Sequence, residues 1–280
     1  MTRTLHFVSR LVLLACLPSL LISPAWGEDL FADKNLEAAV RKSVFEKRDN
    51  DKPLTVEDLE KISTITGRGM GIKDLKGLEH CRSLAELILS ENEIADLGPL
   101  KELKVLQKLV LNKNKIADLQ PLATVTALQH LELEENQVEK LDALASLANM
   151  RSLYLSKNQI ADLKPLAKLE KLWSLYLDGN KVKDLAPIGK LPWLSDLDLS
   201  DNEVENLAPL SEHDELRHLI LKNNQVKDLT TLVEMAKKDS EGDRRFAPFW
   251  NVYLDGNPLS DAAKEQIEQL KKFGVRVHLK

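Results

Sequence analysis

The chain has 280 residues, 43% of them apolar, which suits one or two folded domains and excludes a long disordered tail. Its formal net charge of -5 repels phosphate backbones and argues against nucleic acid as a partner. The chain has only two cysteines, Cys16 and Cys81, so it lacks a disulfide framework.

Residues 1–27 read as a secretory signal. Arg3 and Arg10 precede the short apolar run "LVLLACLPSLLI", and the small residues Ala25 and Gly27 place the cut after Gly27. The run is too short and too broken by proline for a membrane span. "LLAC", Leu13 to Cys16, gives a second reading as a loose lipobox with a lipid on Cys16, although Leu14 fits that slot poorly. Either way the chain is exported and is secreted or periplasmic. Residues 28–61 read as a helical cap. In "DKNLEAAVRKSVF", Leu36, Val40 and Val44 share one helical face. Thr55, with Asp58 three residues on, forms a near capping box for a second short helix.

A repeat organises residues 62–248. Asn92, Asn114, Asn136, Asn158, Asn180, Asn202 and Asn224 follow one another at 22-residue intervals, and Asn257 follows after 33. Around them runs L-x-x-L-x-L-x-x-N-x-[IV], as in "LAELILSENEI", "LQKLVLNKNKI" and "LSDLDLSDNEV", with Met150 in the first slot before Asn158 and a looser "FWNVYLDGNPL" around Asn257. The second half of the unit is as regular: "ADLGPL", "ADLQPL", "KDLAPI". A degenerate first copy carries Ile62, Ile65, Ile72 and Leu78, with Met70 in place of the Asn.

Numbered from the first Leu, positions 4 and 6 alternate as in a short strand, and stacked units set these strands side by side as a parallel sheet. The Asp at position 13 and the Pro at position 16 shape a tight return. Positions 1, 4, 6, 11, 14, 17 and 20 converge as a core. The Asn at position 9 is expected to tie the turn, bonding backbone groups of its own unit and the next. Nine strands give a sheet roughly 40 Å long. The 33-residue interval implies an 11-residue insertion near 236–248, expected as a solvated charged loop or, alternatively, a partner contact through Arg244 and Arg245. Residues 249–280 hold the last strand of the repeat and a C-terminal cap. There "SDAAKEQIEQLKKFG" reads as a helix burying Ala263, Ile267 and Leu270, and "VRVHLK" as a final strand.

These motifs resemble the leucine-rich repeat family, in the 22-residue form of internalins and phosphatase-regulatory subunits. The resemblance implies an α/β solenoid. A parallel sheet lines its concave face, short helical or turn returns line the convex face, and helical caps close both ends. It also implies recognition of a protein partner on the concave face. Extracellular eukaryotic members usually have cysteine-rich caps; this chain has none, which fits a bacterial secreted member.

No sequence motif carries catalysis: there is no G-x-S-x-G, P-loop or HExxH, and the chain reads as a non-enzyme without cofactor or metal. Cys81 and His213 fall at core position 20. The carboxylates Asp178, Asp196, Asp198 and Asp201, and the group Glu132, Glu134 and Glu135, read as a solvated acidic strip, with calcium as the sharper alternative. The candidate partner surface is the outward column at position 5: Ile88, Val110, Glu132, Tyr154, Tyr176, Asp198, Ile220 and Tyr253. It holds all three tyrosines of the chain. Trp173 and Trp250 join it from position 2 at the strand margin. Tyr and Trp combine large contact area with a polar tip and concentrate in binding hot spots. The same tyrosines also suit strands for packing reasons alone. Trp173 and Tyr176 beside acidic acceptors equally suit a carbohydrate or cell-wall ligand. Trp193, at position 22, is expected to pack.

Overall fold

The structure, a computed structural model, describes residues 30–243 and 245–279. The signal-peptide and Cys16 readings and Arg244 lie outside the described residues. Ten three-residue strands form one parallel sheet in sequence order: β1 (Thr64–Thr66), β2 (Glu86–Ile88), β3 (Lys108–Val110), β4 (His130–Glu132), β5 (Ser152–Tyr154), β6 (Ser174–Tyr176), β7 (Asp196–Asp198), β8 (His218–Ile220), β9 (Asn251–Tyr253) and β10 (Arg276–His278). The register follows the repeat, with Leu87 opposite Leu109, and Leu153 opposite Leu175.

The strands stop after three residues because the chain turns out of the sheet at position 8. There Glu91, Lys113, Glu135, Lys157, Asp201 and Asn223 have left-handed φ values between 52° and 61°, and Gly179 takes the same conformation without a Cβ. A non-glycine residue in that region costs roughly 1 kcal/mol, so the next residue must hold the turn. Asn180 does so with four bonds. Its Nδ2 donates to the Leu155 and Leu177 carbonyls, both at 3.0 Å, and to Asp178 O at 3.4 Å, while its Oδ1 accepts from Ile160 N–H at 2.9 Å. Equivalent bonds recur at Asn92, Asn114, Asn136, Asn158, Asn202, Asn224 and Asn257. The ladder therefore reaches back to the preceding unit, not forward to the next. Past the strand, the position 6 carbonyl of each unit has lost its sheet donor, and the following Asn supplies one.

The returns are short 3-10 turns, such as Lys164–Leu166 and Ala186–Ile188. Most are introduced by the position 13 Asp accepting from the N–H two residues on, as from Lys164 to Asp162 at 2.9 Å and Ala186 to Asp184 at 2.9 Å; Asn206 does the same for Ala208, and Lys140 stands there in the unit of β4. The predicted core positions are buried in every 22-residue unit; in one unit these are Leu172, Leu175, Leu177, Val182, Leu185, Ile188 and Leu191. Cys81 lies among them, and burial pushes its thiol up to about 12. His213 is buried in the same slot, and burial depresses its basicity; its Nε2 has no partner among the described residues.

Helix α1 (Lys34–Ser43) covers the first strand with Leu36, Ala39 and Val40. Asp33 caps it and also joins it to the stack. One carboxylate oxygen accepts from Asn35 and Leu36 N–H, the other from Lys73 and Asp74 N–H at 2.7 and 3.2 Å. Burial opposes its ionisation, but these four donors outweigh burial and hold the carboxyl below its ordinary range. Helix α2 (Val56–Glu60) begins with the Thr55–Asp58 capping box. At the far end, the insertion is not a solvated loop. It extends the return into α3 (Thr230–Glu241), because Leu232, Met235 and Ala236 recur at helical spacing and are buried. The buried Asp239 carboxylate gathers the following turn, accepting from Arg245 N at 2.7 Å, Phe246 N at 3.3 Å and Ala247 N at 2.9 Å. The Arg245 guanidinium pairs within the chain, with Asp214 and Glu215. Helix α4 (Asp261–Lys272), capped by Ser260, buries Ala263, Ile267 and Leu270, and β10 then adds to the sheet beside β9.

Candidate binding surface

Positions 3, 5 and 7 of each unit face away from the core. Because the strands are in register, position 5 forms one row: Ile88, Val110, Glu132, Tyr154, Tyr176, Asp198, Ile220, Tyr253. Tyr154 and Tyr176 stack at 4.8 Å with 11° between their planes. Two adjacent parallel strands carrying the same aromatic at the same position leave the rings little other choice. His130 tilts against Tyr154 at 5.3 Å. At the end of the row, Tyr253 stacks on His278 at 4.1 Å.

Carboxylates surround the tyrosine pair. Glu132 accepts from Asn112 at 2.7 Å and lies 2.7 Å from His130 Nε2; these contacts hold it ionised below its usual range despite partial burial. Asp196 lies 2.7 Å from His218 Nδ1. Asp198 accepts from the Ser200 hydroxyl and N–H, yet burial first, and the nearby Asp178, push its carboxyl up. Glu134 is also pushed up, by burial and then by Glu132, Asp178 and Glu135. Among the described residues, the Glu134 and Asp178 side chains make no ion pair or hydrogen bond. Burial and then these acids raise both Tyr154 and Tyr176, so their hydroxyls stay neutral. No group of three or more His, Cys, Asp or Glu among the described residues could hold a metal ion.

The sequence column is thus assembled, with corrections. Tyr154, Tyr176, Tyr253, Ile88, Ile220, Glu132 and Asp198 are half-buried on the open face. Val110 is only 7% exposed, a short side chain between the longer Ile88 and Glu132 on the neighbouring strands. Trp250 is not on the surface: it is fully buried against Phe246 in an edge-on contact at 5.2 Å, while Phe249 at core position 1 is 54% exposed. Helix α3 and its following turn bring the chain into β9 by a different path, and the two aromatics exchange roles.

Trp193 departs in the opposite sense. It is 52% exposed, because Leu191 and Leu194 on either side already fill the core slots. With Trp173, 45% exposed, it borders a cleft of about 390 Å³ completed by Arg151, Ser152 and Lys171. Sequence reasoning missed this cleft, although position 22 also carries exposed Val105 and Lys171 and so points outward.

A family model described as leucine rich repeats (two copies) matches residues 82–124, 104–146 and 126–168. Among solved structures, internalin C2 of Listeria monocytogenes is 26% identical, with a TM-score of 0.62, over 90% of this chain and 95% of that one. A leucine-rich-repeat protein of Leptospira interrogans is 21% identical with a TM-score of 0.60, over 73% of this chain and 56% of that one. The plant peptide hormone receptor RGFR1, in complex with RGF2, is 21% identical with a TM-score of 0.53, over 65% of this chain and 34% of its own. No curated protein sequence matches the chain. The fold defines a leucine-rich-repeat solenoid. Within that class the chain is an internalin-like leucine-rich-repeat protein.

Proposed function

We propose that the chain is an exported, non-catalytic module that binds a protein partner across the open, concave face of its sheet, centred on Tyr154 and Tyr176. The observation that carries this is the stacked tyrosine pair, half-buried and ringed by carboxylates on a face that no other part of the described chain covers. Aromatic side chains with a polar tip give large contact area at low entropic cost. The fold likeness to a peptide hormone receptor solved in complex with RGF2 supports binding of a protein partner. The test is the double variant Tyr154→Ala, Tyr176→Ala. It should keep its circular dichroism and melting profile but lose the partner that the native domain captures from cell-envelope extract. Capture of the same partner by both proteins would sink the proposal.

A carbohydrate reading has one specific observation in its favour, the cleft between exposed Trp173 and Trp193 with Arg151 and Lys171 beside it. Binding on a glycan array that Trp173→Ala abolishes would establish it; a blank array removes it. No helix among the described residues is long and apolar enough to cross a membrane.

A further inference from the structure

The cleft between Trp173 and Trp193 joins its two indoles to two cations. Two rows of side chains run along the margin where the chain enters the sheet, one at position 2 and one at position 22. Both rows pass from a cation to an indole at the same step, Arg151 to Trp173 and Lys171 to Trp193. Neighbours in a row lie side by side. Trp173 N–H donates to Arg151 O at 2.8 Å, and Lys171 Nζ donates to the Asn149 amide oxygen, one unit back in its row, at 2.7 Å. These four residues and Ser152 line the cleft of about 390 Å³, a volume in the range of small-molecule sites.

The lining groups are uncommitted. Among the described residues, the Arg151 side chain makes no hydrogen bond or ion pair, and Lys171 has only Asn149. Neither indole meets another aromatic ring or a cation there, so the ring faces of these half-exposed residues stay open. No carboxylate lines the cleft, although the chain carries 44 acidic against 39 basic residues. The cleft is therefore a cationic site on an acidic protein, complementary to an anion.

Its donors outnumber its acceptors. Arg151 brings a planar fork of N–H groups, Lys171 an ammonium and each indole one N–H, while the Ser152 hydroxyl is the only acceptor among the lining side chains. A peptide backbone brings as many donors as acceptors and would leave its donors unmet. A sugar acid supplies what is missing. Its carboxylate accepts from a guanidinium in two parallel bonds. Its hydroxyls accept from the indole N–H groups, and the apolar C–H face of its ring lies on an indole. Cations and indoles stand one unit apart, about 4.8 Å at the strand spacing. A hexuronate carries its carboxylate on a ring carbon, so its charge and its ring face are separated by a comparable distance.

We propose that this cleft binds a carboxylated sugar, a hexuronate unit of an acidic polysaccharide, with Arg151 and Lys171 on the carboxylate and Trp173 and Trp193 on the ring. This deepens the carbohydrate reading of the cleft and rests on it.

The test uses the full chain and tetrasaccharides of galacturonate, mannuronate and hyaluronate, each also as its methyl ester. A hexaglutamate peptide serves as an anion without a sugar ring. Binding is followed by isothermal titration and by quenching of tryptophan fluorescence. At least one uronate should bind, and its ester should bind about tenfold more weakly or not at all. Arg151→Gln should weaken the uronate roughly tenfold and remove its advantage over the ester. Trp173→Ala should abolish binding, with circular dichroism unchanged in both variants. The Tyr154→Ala, Tyr176→Ala variant should bind the uronate like the native chain. Equal binding of hexaglutamate, or uronate binding that survives both Arg151→Gln and Trp173→Ala, overturns the proposal. Equal binding of uronate and ester that Trp173→Ala abolishes also overturns it but leaves the carbohydrate reading standing. If no uronate binds, the proposal fails, and a blank glycan array then removes the carbohydrate reading as well.

Discussion

Trp173 and Trp250 hold the same position in their repeat units, yet one is half in solvent and the other is sealed in the core. The unit holding Trp173 follows a return of standard length. The chain enters β6 as it enters β5, where Arg151 at position 2 is also exposed. The unit holding Trp250 follows α3, whose buried Asp239 gathers three backbone N–H groups into a turn found in no other described unit. That turn presents Trp250 inward and leaves Phe249 outside. Position in a repeat therefore decides side-chain direction only while the preceding return keeps its length.

The largest effects should separate these two tryptophans. Trp250→Ala removes a fully buried indole and should cost about 3–5 kcal/mol in chemical denaturation. Trp173→Ala removes a surface side chain and should stay within about 0.5 kcal/mol. Equal costs would mean that the exchange of Trp250 and Phe249 is not real.

A smaller effect compares the two devices that hold turns. Asn180→Ala strips a rung from the ladder, and Asp239→Ala strips the turn after α3. Each leaves buried backbone groups unpaired and should cost about 1–3 kcal/mol. They should differ in place. Hydrogen exchange after Asn180→Ala should loosen β5 and β6, whereas after Asp239→Ala it should loosen only the segment leading into β9.

The smallest effect is electrostatic and contrasts the N-terminal cap with the centre of the sheet. The carboxyl of Asp33 is depressed in the folded state, so its contribution is present above the unfolded carboxylate pKa and is lost as pH falls through the folded value. Glu134 is raised, so it opposes folding at neutral pH, and that penalty disappears as pH falls through its raised value. On acidification, exchange protection should drop first at α1. At neutral pH, Glu134→Gln should be neutral or slightly stabilising, by less than about 1 kcal/mol. A clear loss of stability in Glu134→Gln would show a structural partner for that carboxylate.

Much of this architecture is legible in one line of sequence. The 22-residue spacing of the asparagines places the strands, the core leucines and the turn side chains. The tyrosine column follows from counting two residues at a time along each strand. The margins are less legible, for a physical reason. Positions 2 and 22 lie where the chain turns from the return into the strand, and their direction depends on how much core volume the neighbours have already filled. Leu191 and Leu194 leave no room for Trp193, while the extended return opens room for Trp250. Side-chain contacts between units are legible only in part. Tyr253 and Asp255 can be read in order, but that Lys222 of the preceding unit meets both is a contact between units.

By itself the sequence determined the repeat, its period and its core, because a pattern of apolar residues and asparagines at fixed spacing has one way to bury the first and satisfy the second. Tertiary structure alone decided which aromatics reach solvent, what the insertion becomes and which carboxylates stay without partners. Those outcomes depend on free volume and on neighbours one unit away, and neither is written in the local spacing.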